Sequence, residues 1–77
     1  MKSTVERLKD IVNVELGVKK ELIVPKSDIR FELGADELDF VTLIMAVEEE
    51  FGLAIQDKDA ESIVTFGDLV DYVENHT

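Results

Sequence analysis

Few side chains in this sequence could do covalent or acid–base chemistry. Cysteine is absent, which excludes a thiolate nucleophile, a disulfide and a thiolate metal site and leaves the redox compartment open. The single histidine, His76, stands beside the C-terminus, where a solvated tail residue is expected rather than a ligand. Carboxylates are plentiful, with 18 Asp and Glu in 77 residues, but at that density paired acids arise without any catalytic arrangement. Asp57, Asp59 and Glu61 alternate as calcium ligands do, yet Ser62 occupies the place of the glycine that an EF-hand loop needs for its turn. No glycine-rich loop could cradle a phosphate, and Ser3, Ser27 and Ser62 suit caps or solvated turns. Neither an enzyme nor a metal site is expected from this inventory.

The stretch that must position any functional surface is Leu33 to Phe51, LGADELDFVTLIMAVEEEF. Asp36 can accept a backbone N–H that the first helical turn leaves unpaired, and Glu37 and Asp39 put negative charge at the positive end of the helix. With about 100° per residue, Phe40, Leu43, Ile44, Val47 and Phe51 share one arc and form a core stripe. Leu38, Val41 and Met45 fall on nearly the opposite side, bordered by Glu37 and Glu48 on one flank and Glu49 on the other. One packed face cannot use both sets. Either the preceding segment or a later short helix covers the second strip, or it is a partner surface with an apolar centre and an acidic rim.

These residues resemble the signature of acyl carrier proteins. The resemblance is carried by Leu33-Gly34-Ala35-Asp36, then Leu38-Asp39, then Glu48-Glu49-Glu50-Phe51. It extends to an N-terminal helix closing in Glu15-Leu16-Gly17-Val18 and a last helix around Asp71-Tyr72. Members of that family carry a serine between the Asp and the Leu, and its hydroxyl holds the 4′-phosphopantetheine arm. Here the position is Glu37. A carboxylate attacking phosphorus would give an acyl phosphate prone to hydrolysis, so no cofactor is expected on the chain as written. Thr42, the nearest downstream hydroxyl, lies about 140° around the helix and is no substitute.

Carried over position by position, the resemblance implies that Asp36, Leu38, Asp39, Val41, Met45, Glu48 and Glu49 face acyl-processing enzymes and the transferase that installs the arm. Such partners approach with basic patches. It also implies that Leu43, Ala46, Val47, Phe51, Ile55, Ile63 and Tyr72 lie near the core or the cavity that shelters an acyl chain. Thr42 stands where many relatives have an acid, Phe40 is bulkier than usual, Lys58 reverses a common charge and Gln56 replaces a frequent proline. Three readings remain open. The chain is an acyl-carrier-like domain of fatty acid, polyketide or related lipid biosynthesis that docks but cannot be loaded, a non-carrier interaction module that keeps only the docking surface, or an engineered unmodifiable variant of an active carrier.

The remaining elements follow from caps and periodicity. Ser3 with Glu6 signals the first helix, with Val5, Leu8, Ile11, Val12 and Leu16 inside and Gly17 ending it. Residues 18–35 read as a long loop pinned by Leu22, Ile23, Val24, Ile29, Phe31 and Leu33. A short helix is expected from Asp57, as cap, to Ile63. Thr65 and Asp68 open the last helix, which buries Phe66, Leu69, Val70 and Val73. The expected fold is all-α, a small irregular four-helix bundle of three main helices and one short one, in a single domain over residues 1–77.

Charge is lopsided. Seven of the eight basic residues lie in the first thirty positions, whereas Glu32 to Asp57 holds eight acids and no base within a net charge of −10. Such a field repels nucleic acid and anionic lipid and attracts basic protein patches. With no apolar run near 20 residues and no signal-peptide core, a soluble, cytoplasmic and monomeric protein is expected. Crowded acids destabilise the compact state at low ionic strength, so the melting temperature should rise with added salt or magnesium. A melting curve insensitive to both would show that local pairing already balances the field.

Overall fold

Each main helix starts where a side chain accepts its first unpaired N–H groups. In the computed structural model, which describes residues 1–77, the chain forms α1 (Thr4–Leu16), α2 (Glu37–Phe51), α3 (Asp57–Glu61) and α4 (Phe66–Asn75), with a 3-10 turn at Lys20–Leu22. Ser3 Oγ accepts the Glu6 N–H at 3.2 Å, although the Glu6 carboxylate does not return the bond. Gly17 ends α1 at φ 69°, a left-handed conformation that a side chain disfavours, and its N–H reaches the Asn13 carbonyl. At α4 the reciprocal box is complete. Thr65 Oγ1 accepts from Asp68 N, while Asp68 Oδ2 accepts from both Thr65 N and Val64 N at 3.0 Å. Those backbone donors hold the Asp68 carboxyl below its usual range.

The core is one cluster drawn from the three main helices and the segments between them. Leu8 and Val12 come from α1, Phe40, Leu43, Ile44 and Val47 from α2, and Phe66, Leu69 and Val73 from α4. Burying each such aliphatic or aromatic side chain stabilises the fold by about 1.5–3 kcal/mol. This is the all-α arrangement expected from the periodicity, three main helices and one short one, with α1 packed against both α2 and α4.

Between α1 and α2 the long loop is anchored, but by fewer side chains than its composition suggested. Ile23, Ile29 and Leu33 are buried, whereas Leu22, Val24 and Phe31 point into solvent. At Phe31 the reason is local. Asp28 Oδ1 accepts the N–H groups of Arg30 and Phe31, which bends the chain away from the core immediately after Ile29. Backbone bonds supply the rest of the anchoring. Ile29 N–H donates to Val64 O at 3.0 Å, Phe66 N–H to Ser27 O at 2.9 Å and Gly67 N–H to Pro25 O at 2.9 Å, around an isolated antiparallel bridge between Asp28 and Thr65. Ser27 is not a solvated turn residue. It is buried, and its Oγ accepts from Val24 N.

The short helix is also smaller than expected. It ends at Glu61 rather than Ile63, because Ser62 and Ile63 donate to carbonyls only three residues back and leave the helical path. Its cap is Gln56, which makes no side-chain bond, and Asp57 is the first helical residue instead.

Gly67 shows how tightly the loop sits on α4. A Cβ there would stand 2.9 Å from the Pro25 carbonyl oxygen. In an open helix Gly→Ala gains about 1 kcal/mol, but overpacking typically costs about 1–3 kcal/mol. Gly67→Ala should therefore lower stability by roughly 1 kcal/mol or more in denaturant unfolding. A stabilised variant would show that the loop yields without loss.

Candidate functional site

The first turn of α2 is set by two aspartates. Asp36 Oδ1 accepts Asp39 N at 2.8 Å and Asp39 Oδ2 accepts Asp36 N at 3.3 Å, a reciprocal box that fixes where the helix starts. Glu37 follows with its side chain 79% exposed. Its Oε2 lies 3.3 Å from Nη1 of Arg30, whose guanidinium also sits 4.4 Å above the Phe40 ring. The long loop thus contacts α2 through a side chain that no sequence pattern marks. No periodicity links Arg30 to Glu37 or Phe40, because a loop residue has no fixed phase relative to a helix.

On the outward side of α2, Leu38 is 73%, Val41 45% and Met45 60% exposed. Neither the long loop nor α3 covers them, so the covered alternative is excluded. The expected acidic rim is only partly present. Glu49 is exposed, but it borders an open groove between α1 and α2 that Arg7 and Ala46 also line. Glu48 is half-buried, and its Oε2 accepts the Ile55 N–H at 2.7 Å. That carboxylate ties the connection after α2 rather than projecting freely, and the spacing of Glu48 on the helix gave no sign of it.

The residues proposed to line an acyl cavity do not all share one environment. Leu43, Val47, Ile55 and Ile63 belong to the buried core, and Phe51 and Tyr72 pack against its edge. Ala46 is half-buried and lines the groove between α1 and α2. Tyr72 donates to Asp59 Oδ2 at 3.0 Å, linking α4 to α3. Partial burial and that carboxylate push the phenol above its ordinary range. Nowhere do three or more His, Asp or Glu side chains converge in a way that could hold a metal ion.

Residues 6–73 match the family described as the phosphopantetheine attachment site. The chain belongs to that family. A protein of Mycobacterium tuberculosis described as an acyl carrier protein superposes with a TM-score of 0.91 at 28% identity, over 97% of this chain and 100% of its own. The acyl carrier protein of Enterococcus faecalis gives 0.83 at 27% identity, over 96% of this chain and 94% of its own. Domains of the family are carriers that interact with biosynthetic enzymes. No helix of this member is long and apolar enough to cross a membrane.

Exposure predicts how two neighbouring α2 residues respond to truncation. Leu43 is fully buried, so Leu43→Ala should cost about 2–5 kcal/mol of folding stability. Met45→Ala should stay within about 0.5 kcal/mol, the range of surface substitutions. Denaturant unfolding of both variants checks the assignment, and a core-sized loss for Met45→Ala would place the strip inside the packed structure.

Proposed function

We propose that residues 1–77 form one acyl-carrier-like domain of fatty acid, polyketide or related lipid biosynthesis that docks on acyl-processing enzymes through α2 and is not loaded with 4′-phosphopantetheine. The observation that carries this reading is the Glu37 carboxylate. It stands at the attachment position of an otherwise matching Asp36-Glu37-Leu38-Asp39 turn, exposed and paired with Arg30.

The residues present do not fit the prosthetic group. Its phosphodiester link requires a hydroxyl oxygen on phosphorus, and position 37 offers a carboxylate whose phosphoryl adduct would be a labile anhydride. Other hydroxyls are differently engaged. Ser3 caps α1, Ser27 is buried and Ser62 Oγ donates to Asp59 O at 2.8 Å. Thr42 is exposed but turned well away from Glu37 on α2.

Docking is supported by the exposed Leu38, Val41 and Met45 and by the acids around them, which suit basic patches on a partner. The high negative charge supports a monomer and disfavours nucleic acid and anionic membranes, and a cytoplasmic setting belongs to the same proposal. A second reading, a pure interaction module, is favoured by the Arg30 contacts to Glu37 and Phe40, which give the substituted residue a structural partner.

Incubation with coenzyme A and a broad-specificity phosphopantetheinyl transferase should add no mass to the protein. Glu37→Ser should gain one phosphopantetheine, because Asp36, Leu38 and Asp39 already match the family pattern. Intact-mass spectrometry reads both outcomes. An adduct on the unsubstituted chain would overturn the reading, and a folded Glu37→Ser protein that stays bare would show that Phe40, Thr42 or Arg30 also blocks the transferase.

A further inference from the structure

Phe31 is the bulkiest apolar side chain that the fold leaves in water, at 89% exposure. Its backbone is nevertheless held firmly. Asp28 Oδ1 accepts from Arg30 N at 3.0 Å and Phe31 N at 2.9 Å, Glu32 Oε1 accepts from Asp28 N at 2.9 Å, and Ile29 N–H is bonded to Val64 O. A stiff turn therefore presents the ring at the lip of a cleft lined by Asp28, Arg30, Phe31, Glu61, Ile63 and Val64. Ile63 is buried in the core at its base, and Val64 is 49% exposed. An aromatic ring on a rigid backbone loses little freedom when covered, which is the profile of an interface anchor.

The charges around the cleft select the kind of partner. Arg30 is the one base among the lining residues, and its guanidinium is engaged by Glu37 and Phe40. Asp28 and Glu61 in the lining, and Glu32 next to Phe31, leave the surroundings negative. A second copy of this chain, with the same net charge of −10, would be repelled, as would an anionic lipid surface.

We propose that this cleft is a second docking point, taking an apolar side chain carried on a basic protein segment, with Phe31 as its anchor. It rests on the reading that α2 docks protein partners and extends that surface. Arg30 joins the two, since it lines the cleft and also contacts Glu37 and Phe40 in the first turns of α2, beside the exposed Leu38.

The test is fluorescence anisotropy with the full chain and a labelled synthetic amphipathic peptide of lysine, alanine and leucine. Binding should saturate, weaken with salt and be absent for the analogue with glutamate in place of lysine. Phe31→Ala should raise Kd about tenfold with the unfolding midpoint unchanged, and Val64→Ala should weaken binding in the same direction. Met45→Ala reports separately on α2. A loss with Met45→Ala alone would keep the α2 reading and overturn the cleft, whereas a loss with Phe31→Ala alone would support the cleft without α2. Absence of saturable binding, or indifference to both Phe31→Ala and Val64→Ala, would overturn the proposal. So would self-association, or binding to phosphatidylserine vesicles, that disappears in Phe31→Ala.

Discussion

The structure depends on the mooring of the long loop to the junction between α3 and α4. Three backbone bonds, from Ile29, Phe66 and Gly67 to Val64, Ser27 and Pro25, join the two segments and pair the N–H groups of the buried Ile29 and Phe66. They allow Ile23, Ile29 and Leu33 to close the bundle where no main helix lies. Beside them the Asp28 carboxylate accepts from Arg30 N and Phe31 N and makes the turn from which Arg30 reaches α2 and Phe31 projects into solvent. Loop and core are thus joined along one seam of the molecule.

The central helix carries two apolar faces, and the bundle has room for one. Phe40, Leu43, Ile44 and Val47 take the core, where α1 and α4 contribute Leu8, Val12, Leu69 and Val73 to the same cluster. Leu38, Val41 and Met45 stay largely in water and add little burial free energy to folding. That leaves a contiguous apolar strip uncovered along one helix, directly after the exposed Glu37.

The acids of this chain perform three different tasks. Asp36, Asp39 and Asp68 cap helices, and Asp28, Glu32 and Glu48 hold loop N–H groups, so their charge doubles as backbone satisfaction. Asp10 bridges Lys2 and Lys20, Glu50 pairs with Arg7, and Glu37 with Arg30, which spreads the scarce bases over the first part of the chain. Exposed ion pairs of this kind contribute about 0–1 kcal/mol each, so the pairing of Glu37 is better understood as positioning Arg30 than as a source of stability.

By itself the sequence determined the three main helices, their caps at Ser3, Asp36 and Thr65, the core stripe of α2 and the family, because caps and periodicity are local and each helix reports its own phase. It also determined that position 37 lacks a hydroxyl. Only the tertiary structure decided which apolar residues of the loop turn inward, that the Leu38–Met45 strip stays uncovered, that Ala46 faces the α1–α2 groove and that Glu48 bonds Ile55. The same holds for Arg30 on Glu37 and Phe40. Each of these is a contact between segments whose relative phase is set by packing rather than by spacing along the chain. An irregular loop has no period from which that phase could be read.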